Sequence, residues 1–355
     1  MKVGTLTFPG SPSHGASLQM YALYKALKDM EVDIEVINYI PNTVNHKNRP
    51  PKGLKDVIAS LFLKNSEASF RKFERQMKIL PKVAMTTTEE LKEYTKSHDR
   101  IIVGSDQVWN PVVTGNDMNF YLEFCENAQQ KASYAPSFGV DQVAESDRER
   151  IAGLLSDITY LSAREERGKE IIGELTGREV PVVLDPTFLV DSEEWRKLKK
   201  PSGANGDYVF VYTIKPSPKL RRAARAFAEK HGYKLVYISG GIRGVMNKFN
   251  PKKHAVFGVG PAEFLDLIDN AKYVFTNSFH GAALSIILNR NFYVEFSSDT
   301  NSRLITLIKK FELEESIIDC DSFDYALRQI DYERANQIIE EKRKESFAYL
   351  EGIIS

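Results

Sequence analysis

Residues 276–281 (TNSFHG) place a hydroxyl, an imidazole and a glycine where an apolar strand is expected to give way to a helix. A helix N-terminus presents free N–H groups and a partial positive charge, which together hold anions. His280 can donate or accept a proton near neutral pH, Ser278 offers a hydroxyl, and Gly281 leaves room for a ligand beside the backbone. We therefore expect an anion site with an acid–base group. The alternative is a capped helix start with a buried histidine bonded to the backbone.

A second polar turn, residues 104–111 (GSDQVWNP), also follows an apolar strand. Asp106 could bind a sugar hydroxyl or act as a base, and Trp109 could form a platform under a sugar ring. The alternative is an Asp/Asn turn closed by a proline, with Trp109 in the core. The polar candidates in this turn are Ser105, Asp106, Gln107 and Asn110.

Three further positions could contact a ligand. Arg164 follows a predicted strand at 158–162, and its planar guanidinium suits a carboxylate or phosphate; an ordinary surface ion pair is the alternative. His14 and Gly15 lie at another helix N-terminus, which could equally be only a capped helix start. Arg303 could add positive charge in the second half of the chain, unless it belongs to a solvated helix start.

The elements that must position these residues follow an alternating β–α order. Residues 2–8 and 33–39 read as strands around an amphipathic helix, which predicts a parallel sheet. A turn-rich stretch near 191–207 precedes a second α/β cycle, so we expect two doubly wound lobes with a cleft between them. The predicted divisions are a lobe at 1–195 with a basic helical arm at about 42–97, a lobe at 205–325, and a C-terminal helix within 326–355 that could pack back on the first lobe.

Composition narrows the class of protein. The 355 residues carry 48 basic and 48 acidic side chains, and a net charge of zero argues against a general nucleic-acid-binding surface. The two cysteines, Cys125 and Cys320, lack metal-ligand spacing, so we expect free thiols and no metal site. No run of about 18 apolar residues occurs. We therefore expect a cytoplasmic protein.

Taken in order, these segments resemble the polysaccharide pyruvyl transferase family over roughly residues 1–310. The pair formed by GSDQVWNP and SFHG is specific, whereas either motif alone is weak. The resemblance implies an α/β fold of two Rossmann-like lobes, as in GT-B glycosyltransferases. The matching segments are 15–19 (GASLQ), 104–111 (GSDQVWNP), 163–166 (AREE), 184–187 (LDPT) and 278–281 (SFHG).

The resemblance also implies an activity: transfer of a pyruvyl group from phosphoenolpyruvate to two hydroxyls of a sugar in a surface polysaccharide or its precursor. It implies no cofactor or metal, with phosphoenolpyruvate as donor substrate. We assign His280 to proton transfer and Asp106 to the acceptor hydroxyl. The expected donor-binding residues are Arg164, Ser278, Phe279, His280, Gly281 and Arg303. The expected acceptor-binding residues are His14, Gly15, Ser105, Asp106, Gln107, Trp109 and Asn110.

The sequence departs from the family pattern at two positions. Many relatives carry an arginine two residues before the histidine, where this chain has Ser278, and Arg303 is our substitute for that cation. Relatives often carry an asparagine and an aromatic residue before the first-loop glycine, where this chain has Ser13 and His14.

Other readings of the whole chain stay open. One is a GT-B glycosyltransferase that uses a nucleotide-sugar donor, and another is a non-catalytic glycan-binding protein. Residues 45–82 contain ten Lys or Arg and three Asp or Glu. This basic arm could hold a lipid-linked or phosphorylated glycan at the inner, anionic face of a membrane; it could equally be a solvated helical face.

Overall fold

The computed structural model describes residues 1–41, 66–239, 253–296 and 301–355. These residues fall into two compact units. Counting only described residues, the first unit comprises residues 1–41, 74–190 and 340–355, and the second comprises residues 66–73, 191–239, 253–296 and 301–339.

The first unit is built on a parallel five-stranded sheet in the order β3-β2-β1-β4-β5. Its central strands read as near-continuous apolar runs because helices cover both faces of a parallel sheet. Ile101, Ile102 and Val103 of β4, for example, are fully buried. The strands are β1 (Lys2–Leu6), β2 (Asp33–Tyr39), β3 (Ile79–Met85), β4 (Arg100–Asp106) and β5 (Lys131–Pro136).

Several helices of the first unit begin where the sequence supplies a capping side chain. The Ser13 hydroxyl accepts a hydrogen bond from the Ala16 N–H at 3.4 Å and so starts helix His14–Asp29. Helix Thr88–Thr95 begins with a reciprocal capping box between Thr87 and Glu90. The other helices are Pro111–Thr114, Arg148–Ser156 and Glu166–Thr176, with 3₁₀ turns at Met118–Tyr121, Ala128–Gln130, Glu145–Asp147 and Pro186–Leu189.

Part of the predicted basic arm differs from the expectation of a helix. Residues 42–65 lie outside the described residues, and residues 66–74 are helical. Ile79–Met85, however, forms the edge strand β3. An edge strand pairs on one side only and tolerates the proline at position 81. Its Lys82 and Val83 face solvent, so it shows no buried apolar run that a sequence pattern could detect.

The second unit repeats the same design. Its parallel sheet has the order β10-β9-β6-β7-β8, so the first strand in sequence is again central. Aromatic side chains fill its core, with Phe227 packed edge-on against Tyr273 and Tyr293. The strands are β6 (Tyr208–Tyr212), β7 (Lys234–Ile238), β8 (Lys253–Val256), β9 (Tyr273–Thr276) and β10 (Phe292–Val294).

A buried carboxylate ties the helices of the second unit together. Asp269, 3% exposed, accepts hydrogen bonds from Arg196 at 3.3 Å, Lys199 at 2.5 Å and Arg290 at 2.9 Å. Burial raises the pKa of Asp269, but Lys199 and Arg290 outweigh burial and lower it. The helices of this unit are Ser192–Leu198, Pro218–His231, Pro261–Asp269, Phe279–Ile287 and Asn301–Lys310, with a 3₁₀ turn at Glu314–Ser316.

The C-terminal helix Glu333–Ile354 belongs to both units. From Glu340 onward it packs in the first unit, where the Ser346 hydroxyl accepts the Leu184 N–H at 3.0 Å and the Tyr349 hydroxyl donates to the Ser133 carbonyl at 3.0 Å.

None of the helices in the described ranges is sufficiently long and apolar to cross a membrane. The predicted α/β class with two Rossmann-like halves is confirmed.

Candidate active site

The strand order locates a candidate site in each unit. In a doubly wound sheet, ligands bind beyond the carboxyl ends of the strands where the strand order reverses. That point lies between β1 and β4 in the first sheet and between β6 and β9 in the second. The segments that follow these strands include three of those selected from sequence.

A pocket of about 350 Å³ opens at this point of the first unit. Its walls come from the loops after β1, β2 and β4, and most of them are apolar. Asp106 and Gln107 are the predicted acceptor residues that line it. The lining residues are Phe8, Pro9, Gly10, Ser11, Pro12, Ser13, Ala16, Tyr39, Ile40, Pro41, Asp106, Gln107 and Val113.

Asp106 has an unusual backbone conformation. Its φ of 66° lies in the left-handed region, which a non-glycine residue occupies only when its surroundings hold it there. Its Oδ1 accepts the Gln107 N–H at 2.9 Å, and its carbonyl accepts the Ser137 N–H at 2.9 Å. The side chain is half-buried and lines the pocket. A carboxylate held in this way can accept the proton of a bound hydroxyl.

His14 and Gly15 stand at the beginning of helix His14–Asp29, and both are buried. The pocket lining contains their neighbours Ser13 and Ala16. The helix start therefore borders the pocket, and direct contact of His14 and Gly15 with an acceptor stays a prediction.

Trp109 lies in the core of the first unit. It is 1% exposed, its ring stacks on Tyr121 at 5.4 Å between centroids, and its Nε1–H donates to the Phe120 carbonyl at 2.9 Å. This environment favours the alternative of a core residue over a platform for a sugar ring, because the buried ring packs against Tyr121 and Phe138 and its indole N–H is bonded inside the protein.

The remaining polar residues of this turn hold one another. The Asn110 side chain caps helix Pro111–Thr114 by accepting the Val112 N–H at 2.9 Å, and its amide donates to Gln107 Oε1 at 2.6 Å. Ser105 is fully buried. Asn110 and Ser105 thus shape the turn that carries Asp106 and Gln107 into the pocket.

Arg164 is the centre of a buried polar network. It is 3% exposed; its Nη1–H donates to Asp185 Oδ2 at 2.9 Å and its Nε–H to Glu165 Oε2 at 3.3 Å. The Ser105 hydroxyl donates to the same Asp185 oxygen at 3.1 Å, and the Ser137 hydroxyl donates to Glu165 Oε1 at 2.5 Å. We call these five residues the Arg164 network.

The charge around Arg164 is mainly negative. Burial lowers the pKa of Arg164, but neighbouring carboxylates outweigh burial and raise the pKa above its ordinary value. These carboxylates are those of Glu165, Asp185 and Asp106. Arg164 thus interacts electrostatically with the half-buried carboxylate that lines the pocket.

In the second unit, the predicted SFHG segment forms the first turn of helix Phe279–Ile287. The Ser278 hydroxyl accepts the Gly281 N–H at 3.2 Å and caps this helix, and its own proton can still be donated to a ligand. His280 is 8% exposed within the first turn, and the Phe279 ring stands at 83° to the imidazole. The structure thus places a hydroxyl and an imidazole together at a helix N-terminus.

Two hydrogen bonds attach the loop after β6 to this turn. Asn277 Oδ1 accepts the Ile214 N–H at 3.0 Å, and its amide donates to the Lys215 carbonyl at 3.0 Å.

Arg303 is half-buried in the first turn of helix Asn301–Lys310. The part of the chain that the structure describes contains no cluster of three metal-ligating side chains.

Sequence reasoning missed one polar residue at this edge, Glu295. It follows β10, its N–H donates to the Thr276 carbonyl at 3.2 Å, and its Oε2 is buried without a hydrogen-bond partner among the described residues. Burial, followed by the charge of Glu295, raises the pKa of the Cys320 thiol to about 12. Its position directly after an apolar strand could have identified Glu295 from sequence. The same position makes Glu295 a further candidate for proton transfer.

Comparisons with known proteins identify the fold and the family of the chain. The chain has the two Rossmann-like units found in GT-B-fold proteins. The solved structure of UDP-GlcNAc 2-epimerase from Methanocaldococcus jannaschii matches with a TM-score of 0.54 at 14% identity, over 96% of this chain and 99% of that one. The putative UDP-N-acetylglucosamine 2-epimerase from Listeria monocytogenes matches with a TM-score of 0.54 at 12% identity, over 99% and 90%.

The family model for polysaccharide pyruvyl transferase matches residues 14–294. The chain therefore belongs to the polysaccharide pyruvyl transferase family, as the resemblance of its motifs predicted. No curated protein matches it in sequence.

Proposed function

We propose that this protein transfers a pyruvyl group from phosphoenolpyruvate to two hydroxyls of one sugar in a surface polysaccharide or its precursor. Membership of the family carries the proposal, because it supports a transferase that acts on a sugar acceptor. The chemistry of the two candidate sites supports the finer details. One site offers an imidazole at a helix N-terminus, and the other offers a carboxylate in a largely apolar pocket.

The second unit is suited to the donor. Phosphoenolpyruvate carries a carboxylate and a phosphate, and the first turn of helix Phe279–Ile287 offers N–H groups and a partial positive charge to such anions. In the proposal, Ser278 donates its hydroxyl proton to the donor and Arg303 supplies positive charge. Phe279 and Gly281 shape the turn, and His280 exchanges a proton with the donor.

The first unit is suited to the acceptor. Apolar walls such as those of Phe8 and Pro9 can pack against the C–H face of a sugar ring, while polar groups at one edge bind its hydroxyls. In the proposal, Asp106 accepts a proton from the attacking hydroxyl and the Gln107 amide binds another hydroxyl. His14 and Gly15 border the same acceptor.

The reaction proceeds in two additions to one carbon. His280 gives a proton to the methylene carbon of phosphoenolpyruvate, and the adjacent carbon becomes electrophilic. A sugar hydroxyl adds to that carbon and passes its proton to Asp106. The second hydroxyl then gives its proton to the deprotonated His280 and displaces phosphate, which closes the ketal ring. The proton held by Asp106 leaves with the inorganic phosphate. Each positioned acid or base contributes roughly 10²–10⁴ in rate. No step calls for a metal or an additional cofactor.

The test is phosphate release with phosphoenolpyruvate and a panel of hexose acceptors, with mass spectrometry of the products. We expect acceptor-dependent phosphate release and a product heavier by the pyruvyl ketal. His280→Ala should lower kcat by about 10²–10⁴-fold. A matched control is His231→Gln, since His231 lies at the end of helix Pro218–His231 and bonds the Tyr325 carbonyl.

Two outcomes would contradict the proposal. Turnover of a nucleotide sugar in place of phosphoenolpyruvate would show a glycosyltransferase. Glycan binding without any turnover, unchanged in His280→Ala, would show a non-catalytic glycan-binding protein.

The physical state of the acceptor is a separate part of the proposal. The basic residues at 45–82 are suited to an anionic membrane surface, where a lipid-linked acceptor would be found. We expect the protein to sediment with vesicles containing anionic lipid and to be released by added salt. Equal sedimentation with neutral vesicles would contradict peripheral electrostatic association.

A further inference from the structure

The strained residue of the first site, Asp106, is held from both sides by buried serines. On one side, the Ser105 hydroxyl donates to Asp185 Oδ2 at 3.1 Å. On the other, the Ser137 N–H donates to the Asp106 carbonyl at 2.9 Å, and the Ser137 hydroxyl donates to Glu165 Oε1 at 2.5 Å. Through these two serines, the backbone at Asp106 is connected to the buried carboxylates of Asp185 and Glu165.

We call the Ser105–Asp185 and Ser137–Glu165 pairs the two arms. Arg164 bonds the carboxylate of each arm. Its Nη1–H and Nε–H donate to Asp185 and Glu165 at 2.9 and 3.3 Å. A guanidinium is planar and rigid, so it fixes the two carboxylates relative to each other. At 3% exposure this geometry is held with little freedom.

The second oxygen of Asp185 strengthens one arm. Asp185 Oδ1 accepts both the N–H and the hydroxyl of Thr187, at 3.0 and 2.8 Å. The carboxylate that receives Ser105 is thus itself immobilised at both oxygens. A residue such as Asp106, at a φ of 66°, needs a rigid support of this kind.

The carboxylates around Arg164 also argue against a role in binding the anionic donor. Three carboxylates act on the single guanidinium of Arg164. A donor carrying a carboxylate and a phosphate would meet their negative charge, whereas a neutral sugar hydroxyl would not.

We propose that Arg164 is a positioning residue that holds Asp106 in its reactive geometry, instead of a ligand for the anionic donor. This inference rests on the proposed function, in which Asp106 accepts the acceptor proton. It changes the sequence-based assignment of Arg164 to the donor and adds Ser137, Glu165 and Asp185 to the residues that determine the rate.

The experiment breaks each arm without leaving a buried charge unpaired. Ser105→Ala and Ser137→Ala each remove one hydroxyl, and Arg164→Lys keeps the charge but loses the planar fork. Ser133→Ala is the matched control, because Ser133 is fully buried on β5 and its hydroxyl bonds Ser162. Steady-state kinetics are measured with phosphoenolpyruvate and the acceptor varied independently.

We expect each of the three arm variants to lower kcat by about 10-fold to 10²-fold, since a small misplacement of a reacting group can cost that much. The KM for phosphoenolpyruvate should stay within about twofold of the parent value, which corresponds to about 0.4 kcal/mol. Ser133→Ala should keep the parent kcat.

A double-mutant cycle with Asp106→Asn separates positioning from general damage. If the arms act through Asp106, then Ser105→Ala should lower kcat no further once Asp106 is replaced. An undiminished loss in that background would overturn the positioning role. So would a KM for phosphoenolpyruvate that rises 10-fold or more in Arg164→Lys while kcat is kept. Absence of phosphoenolpyruvate turnover in the parent would instead overturn the proposed function, and the positioning role with it.

Discussion

Replacing Gly281 by alanine should disrupt the turn that carries His280. A Cβ at position 281 would lie 2.5 Å from Thr276 Oγ1 and 3.2 Å from both Thr276 Cβ and Tyr212 Cδ1. Ordinary contact begins near 3.4 Å, so the threonine must retreat by about 0.9 Å. Thr276 is fully buried, and its hydroxyl accepts the Ser278 N–H at 3.0 Å. The retreat therefore strains the core and weakens the bond that shapes the turn.

The expected cost follows from these two effects. Overpacking of a well-packed core costs roughly 1–3 kcal/mol, and a weakened intramolecular hydrogen bond adds about 1 kcal/mol. Gly281→Ala should therefore lower the free energy of unfolding of the second unit by about 2–4 kcal/mol. A displaced His280 should also lower kcat by about 10²-fold.

The assay uses the position of the two tryptophans, Trp109 in the first unit and Trp195 in the second. In a Trp109→Phe background, fluorescence during urea unfolding reports the second unit, with and without Gly281→Ala. The control is Gly153→Ala, followed through Trp109 in a Trp195→Phe background. A Cβ added at Gly153, inside helix Arg148–Ser156, would meet no atom within 4 Å apart from its chain neighbours and the helix's own backbone, so alanine should be neutral or stabilising by about 0.5–1 kcal/mol. A Gly281→Ala variant with the parent's stability and kcat would refute the reasoning.

Three further perturbations test other parts of the structure. Burial, followed by the charge of Lys2, lowers the pKa of His98 below its ordinary 6.5, so the folded state favours the neutral ring. This contribution to the free energy of unfolding is complete above pH 6.5 and is lost as the pH falls. Urea unfolding measured from pH 7 to 5 should show the loss, and His98→Gln should make the free energy of unfolding depend less on pH. Asp269→Asn leaves three partly exposed cations without their carboxylate and should cost the second unit about 2–3 kcal/mol, measured by Trp195 fluorescence; a loss below about 0.5 kcal/mol would contradict the burial of this cluster. Asn277→Ala releases the loop after β6 and should raise the KM for phosphoenolpyruvate about 3-fold to 10-fold, with an unchanged KM counting against a donor site at this turn.

Apolar strand runs separated by helical periodicity were sufficient to predict two α/β halves, because burial on both faces of a parallel sheet leaves a local pattern. The same pattern placed Asp106 and His280 just after strands, at the edge where ligands bind. The edge strand Ile79–Met85 left no such pattern, since one of its sides and several of its side chains face solvent.

The environment of individual side chains was decided by tertiary structure alone. Sequence could not distinguish Trp109 as a platform from Trp109 as a core residue, because the same turn permits either orientation. It also gave no indication that Arg164 bonds Asp185, 21 residues away, or that Ser105 bonds the same carboxylate from 80 residues away. Residue type and spacing fix what a side chain is able to do. Only the folding of distant segments against one another determines which charges surround it, and those charges decide which chemistry it performs.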